Sequence, residues 1–217
     1  PDYATAWLLK DLAKGYIDNA FKEKGLKILY YTPWPGQGFY TKFPVNSTSD
    51  FKGKKLRIYS TATQKMGQML GFNATILPFA EIPQAFSTGL IEALFTSPQT
   101  GIDIQAWDNT KHFTYAGAIF SKNAVVVGEK YFSALSANDQ SNMLAAAARA
   151  ELRGWEMSAA TTVAQMAILK KNGMTVVNAP DSVITKMKEI GKEMMAGWRK
   201  DASPEAIAVL DRYLALQ

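Results

Sequence analysis

The sequence predicts an α/β fold built on a mainly parallel sheet. Three observations carry that expectation. Between residues 55 and 96, short segments rich in apolar residues alternate with segments of helical periodicity. A long helical stretch runs from Ser136 towards Lys171. Gly and Pro punctuate the joints between these segments.

Asp2 to Glu23 reads as an amphipathic helix, with Trp7, Leu8, Leu12, Tyr16 and Phe21 among its apolar positions and Gly25 as its stop. Leu26 to Tyr31 is a strand candidate, and Thr32 to Gly38 is a loop dense in Pro and Gly. Then come strand 55–59, helix 61–70, strand 73–77, helix 79–88 and strand 91–96. His112–Ala118 and Ala124–Gly128 are further strands. Ser136-Ala137-Asn138-Asp139 offers a cap and an acidic first turn for the long helix, with Gly154 as the place for a kink. Strand Met174–Val177, a helix near Asp181–Trp198 and a last helix opened by Ser203-Pro204-Glu205 complete the chain.

Composition narrows the function. A chain of 217 residues can bury a core as one large domain or two small ones. Its 47% hydrophobic and 20% charged content is ordinary for a soluble globular protein. The net charge is +5, but Lys22, Lys24, Lys52, Lys54, Lys55, Lys170 and Lys171 are scattered. That is a solvated surface, without the basic stripe of a nucleic-acid binder. The lack of cysteine excludes a disulfide framework, a thiolate zinc site and a cysteine nucleophile. No apolar run is long enough to span a bilayer.

The most informative stretch is Asp50-Phe51-Lys52-Gly53-Lys54-Lys55-Leu56-Arg57-Ile58, a turn feeding a short buried strand. Arg57 lies between Leu56 and Ile58. A guanidinium set into an apolar strand requires a partner, and its planar fork fits a carboxylate bidentately. Two readings stand on local sequence: an internal ion pair with Asp or Glu, or an anion-binding site.

The residues beyond Arg57 weigh towards the second. Gly71-Phe72-Asn73-Ala74-Thr75-Ile76-Leu77-Pro78 leads into Phe79-Ala80-Glu81-Ile82, then Gln84 to Ser87, Thr88-Gly89 and Leu90-Ile91-Glu92-Ala93-Leu94. This ordered set resembles the solute-binding subunit of tripartite ATP-independent periplasmic (TRAP) transporters, the DctP-like family, from about Leu26 to the C-terminus. The resemblance implies a two-lobe periplasmic binding protein of the class II-like type, with a long helix spanning the lobes. The expected lobes are 1–31 with 122–162, and 32–121 with 163–217. The family's usual opening strand-helix-strand stretch has no match here, so the first lobe is expected to be incomplete, and no signal-peptide pattern is present.

The resemblance implies a periplasmic protein that binds a small organic acid in an interlobe cleft and delivers it to the membrane subunits of a TRAP transporter. Arg57 would anchor the carboxylate, and Thr96 and Ser97 would donate hydrogen bonds. Trp34, Tyr59, Phe79 and Phe95 would border the body of the ligand. For the aromatics around the Pro/Gly loop (Tyr30, Tyr31, Trp34, Phe39, Tyr40), core packing and pocket lining both remain open; the same holds for Phe79. Gln37 stands where sialic-acid binders of the family carry a second basic residue, and Ser97 near where others carry asparagine. These departures favour a monocarboxylate with an apolar or aromatic body, with a C4-dicarboxylate as the alternative. Some family members hold ligand through a metal, using an acidic residue on the strand after Thr-Gly. Here that strand reads Glu92-Ala93-Leu94-Phe95-Thr96-Ser97-Pro98, without the acidic residue at the inward position, so neither metal nor cofactor is expected.

Two rivals remain. An effector domain of a transcription regulator would call for an adjacent DNA-binding segment, and none is visible. An α/β hydrolase would need a nucleophile with a base. The single histidine, His112, flanks an apolar strand and no nucleophile elbow, P-loop or metal-ligand spacing accompanies it. No enzymatic activity is expected.

Overall fold

The computed structural model describes residues 2–217; Pro1, where the expected first lobe begins, lies outside the described residues. The elements run α1 Tyr3–Lys22, β1 Leu26–Pro33, β2 Gln37–Thr41, β3 Lys55–Ile58, α2 Thr61–Met69, β4 Asn73–Ile76, α3 Ile82–Ser87, β5 Ala93–Thr96, α4 Pro98–Asp103, β6 His112–Ala118, β7 Lys122–Gly128, α5 Glu129–Ser133, α6 Ala137–Lys171, β8 Thr175–Asn178, α7 Asp181–Asp201 and α8 Pro204–Ala215. They form two compact units, one of residues 2–34, 120–161 and 201–217, the other of 35–119 and 162–200. The 35-residue helix α6 contributes to both.

The second unit is organised by a six-stranded sheet of order β4-β3-β5-β2-β6-β8. β3 pairs in parallel with β4 and β5, and β6 with β8, whereas β2 runs antiparallel to both its neighbours. β2 is the strand that sequence patterning assigned in part to a loop. Its residues Gln-Gly-Phe-Tyr-Thr are all buried, so no polar alternation marks it. Phe39 points into a core with Phe51, Phe72, Leu56, Ile58 and Phe95, and Tyr40 into a second core with Phe113, Leu94, Phe86 and Ile82. Both aromatics are 0% exposed, which assigns them to packing rather than to a pocket. Gly38 is required in this strand, because a Cβ there would come within 2.4 Å of the Thr114 carbonyl oxygen.

The first unit contains the antiparallel pair β1–β7 and helices that cover it. The capping box of Asp2 with Thr5 starts α1. Trp7 and Trp155 meet edge to face at 4.8 Å, and the Trp155 indole donates to the Tyr31 carbonyl. Lys10, 3% exposed, pairs with Glu151 at 3.2 Å and Asp11 at 2.8 Å, and lies 3.6 Å over the Trp7 ring. Glu151 also accepts the Tyr31 amide. The last helix differs from the expected assignment of 163–217 to the second lobe: α8 packs against α1 and belongs to this unit. Chain order does not disclose that contact.

Phe39→Ala removes a ring in contact with Phe51 at 4.8 Å and Phe95 at 4.9 Å, and should cost about 3–5 kcal/mol in urea denaturation. A second expectation concerns pH. Burial, with Asp18 adding, raises the Tyr31 phenol above its ordinary value, and burial raises Tyr40. The folded state then holds protons that the unfolded chain releases, so this contribution is intact below about pH 10 and falls as pH rises further. Unfolding midpoints at pH 9 and pH 11 test it, with Tyr31→Phe reducing the drop.

Candidate anion-binding site

β3 places Leu56 and Ile58 in the first core, and Arg57, by alternation, on the opposite face of the sheet. In the parallel register Arg57 stands opposite Leu94, a member of the second core. Its side chain is 5% exposed. The Nε–H donates to the Leu77 carbonyl at 3.0 Å, and the guanidinium carbon lies 6.0 Å from the centre of the Tyr59 ring. Among the described residues no Asp or Glu forms an ion pair with Arg57. The internal salt bridge, one of the two readings of the local sequence, is therefore not made. Burial pulls the guanidinium down from its ordinary value, and the neighbouring Tyr59 opposes that pull. Arginine remains protonated at physiological pH regardless. What is left is a desolvated cation with one hydrogen bond, a costly arrangement unless an anion completes it.

The other expected residues separate into groups. Thr96, 6% exposed, ends β5 and faces Gly38 in the register with β2. Alternation from Leu94 puts it on the Arg57 side of the sheet. Tyr59 comes directly after β3 and donates its hydroxyl to the Gln37 side-chain oxygen at 3.0 Å. Phe79 sits in a short 3-10 turn, 51% exposed, two residues past the Leu77 carbonyl that holds Arg57.

Two of the expected roles are corrected. Phe95 is 0% exposed, packed on Phe39 within the first core and so turned to the face opposite Arg57. Ser97 caps α4: its Oγ accepts the Thr100 amide at 3.2 Å and donates to the Thr100 hydroxyl at 3.1 Å. Ser-Pro at a helix start is a capping signal that the sequence carries openly. Trp34 belongs to the other unit, where its indole N–H donates to Asn123 at 3.3 Å and its amide to the Ser121 carbonyl. His112 lies on β6, opposite Thr41 and Thr175. In the sequence Gln37 stands out only as a missing cation; its bond to Tyr59 spans 22 positions and leaves no local trace.

A buried cation on a sheet face, with neutral hydrogen-bonding groups around it, is the equipment of a protein that recognises an anion. A family model for bacterial extracellular solute-binding proteins, family 7 (DctP), matches residues 3–201, and the chain belongs to that family. Among curated relatives it is 23% identical over 193 residues to the C4-dicarboxylate-binding periplasmic protein DctP of Rhodobacter capsulatus, covering 88% of this chain and 52% of that protein. It is 25% identical to the ectoine/5-hydroxyectoine-binding UehA of Ruegeria pomeroyi, covering 92% and 61%. The chain thus spans about half the length of the curated relatives it matches. Among solved structures, DctP7 of Bordetella pertussis, an extracytoplasmic solute receptor binding pyroglutamic acid, superimposes with a TM-score of 0.95 at 35% identity, covering 98% of this chain and 70% of that one. A marine metagenome TRAP protein specific for pyroglutamate gives 0.93 at 31% identity, with coverages of 99% and 70%. The architecture is that of the TRAP periplasmic binding proteins. No helix among the described residues is long and apolar enough to cross a membrane.

Because Arg57 has no acidic partner among the described residues, Arg57→Met, which keeps a packed stem, should leave the melting temperature of the ligand-free protein unchanged or raised. The lost Leu77 hydrogen bond, about 1 kcal/mol, is offset by removal of the buried charge. A large loss of ligand-free stability in calorimetry would mean that Arg57 is structural.

Proposed function

We propose that this chain is the periplasmic solute-binding component of a TRAP transporter, capturing a small organic acid by its carboxylate and delivering it to the transporter's membrane subunits. The observation that carries the reading is Arg57, buried, held through Nε and without an acidic partner among the described residues. Arg57 anchors the carboxylate. Thr96 supplies a hydroxyl donor, and Tyr59 and Phe79 border the ligand's body. Binding involves no covalent step.

The ligand proposed is a ring-shaped monocarboxylate, with pyroglutamate first. Membership of the DctP family supports an extracytoplasmic solute. DctP6 and DctP7 of Bordetella pertussis and the marine metagenome protein, 31–35% identical to this chain, bind pyroglutamate. One strong cation beside aromatic rings suits a single carboxylate on an apolar body. A second carboxylate would be desolvated without a counter-charge, while each buried apolar Å² contributes roughly 25 cal/mol.

A calorimetric panel tests the proposal. Pyroglutamate should bind more tightly than succinate, malate or sialic acid, and Arg57→Ala should cost about 2–5 kcal/mol of that binding. Tight binding of a C4-dicarboxylate with ring acids inert would replace the ligand class. Turnover of generic esters or phosphates would overturn the transport role.

A further inference from the structure

The chain passes from one unit to the other at four places: Trp34–Pro35, Ile119–Phe120, Thr161–Thr162 and Lys200–Asp201. Two of these lie within helices, α6 and α7, whose hydrogen bonds fix the backbone. At Trp34–Pro35 the proline ring fixes its own φ and restricts the residue before it. Ile119–Phe120 is left, directly after β6, and its backbone is unusual. β6 pairs Tyr115 with Gly38 and Ala118 with Gln37, so Ala116 and Gly117 bulge out of the ladder. Gly117 takes a φ of 58° at no steric cost. Ile119 takes a φ of 54°. For a β-branched residue that is a genuine outlier, because its Cβ crowds the following carbonyl. Two anchors hold it: the Ile119 side chain packs against the first core, and the Phe120 ring meets Tyr3 edge to face at 4.8 Å. Adjacent residues are thus fastened in different units, with the left-handed turn between them.

We propose that Ile119 is a built-in strain site that biases the balance between alternative arrangements of the two units. Strained backbone persists where surrounding contacts over-determine it, and it favours any arrangement that lets it relax. Rotation of φ at Ile119 to negative values would relieve the turn and redirect the chain at the one crossing that neither helix nor proline constrains. Capture of a ligand by a two-unit protein depends on that balance, because apparent affinity falls with the fraction of molecules in the competent arrangement. Residue 119 then tunes capture without touching the ligand. This last link rests on the transport role proposed for the chain; the strain and its bias do not.

The test compares Ile119→Ala, Ile119→Gly and Ile119→Asn. All three give up the side chain's packing on the first core, but glycine enters the left-handed region freely, asparagine tolerates it and alanine does not. At an ordinary position glycine melts below alanine. Here Ile119→Gly and Ile119→Asn should melt above Ile119→Ala. The chain has no cysteine, so spin labels on Ser141→Cys and Ser182→Cys, exposed residues of one unit each, report the arrangement without competing thiols. In the ligand-free protein the populations in the label-to-label distance distribution should differ between Ile119→Gly and Ile119→Ala by about five- to thirtyfold in ratio. Pyroglutamate affinity should differ between the same two variants. Alanine melting at or above both glycine and asparagine overturns the strain. Identical distance distributions overturn its bias on the arrangement. Altered distributions in a protein whose wild type ignores pyroglutamate uphold the role of Ile119 and overturn the ligand reading instead.

Discussion

The second unit depends on one strand that is buried on both faces. β2 sends Phe39 into one core and Tyr40 into the other, and both rings are wholly excluded from solvent. Its antiparallel pairing joins β5 on one side to β6 on the other, so that an otherwise parallel sheet becomes continuous. The same strand delivers Gln37 and Gly38 to the end where β5 presents Thr96. Core and candidate site are thus consequences of one register. A slip by one residue would turn every side chain of β2 to the wrong face.

Against that rigid background Arg57 is an energetic liability. It occupies the strand position next to Leu56 and Ile58, in a setting where hydrophobic residues would pack at no electrostatic cost. The fold compensates it with a backbone carbonyl and an aromatic neighbour, but not with an opposite charge. Retaining such a group conflicts with stability alone and agrees with a role completed by an anion, the usual sign of a functional position. Ser97 and Thr100 show the opposite case: polar, buried and mutually satisfied, they are part of the scaffold.

The fold was legible in the sequence where local signals suffice. The alternation of strands and helices from residue 55 to 96, the long helix after Ser136 and the capped last helix all arise from periodicity and caps. The buried guanidinium was legible too, from its apolar flanks. β2 was not, because a strand buried on both faces has no alternating pattern and sits behind a Pro/Gly segment. The facing of Phe95 was also hidden, since only the register with β3 and β2 decides which core it enters. The Gln37–Tyr59 and Arg57–Leu77 contacts join residues 22 and 20 positions apart, and no window of local sequence contains either rule. The placement of α8 on α1 is a long-range packing event of the same kind.

The single bond from Arg57 Nε to the Leu77 carbonyl has a consequence for timing. An arginine on a surface carries about 2 kcal/mol of rotamer freedom, which it gives up when it closes on a ligand. Here the stem is packed and the inner edge of the fork is already tethered, so that freedom is lost when the chain folds. On the anchor role proposed for Arg57, the outer edge would meet an arriving anion without rearranging. Encounter then requires only diffusion and desolvation, and differences in affinity among acids of one charge should appear in how long each stays rather than in how fast it arrives.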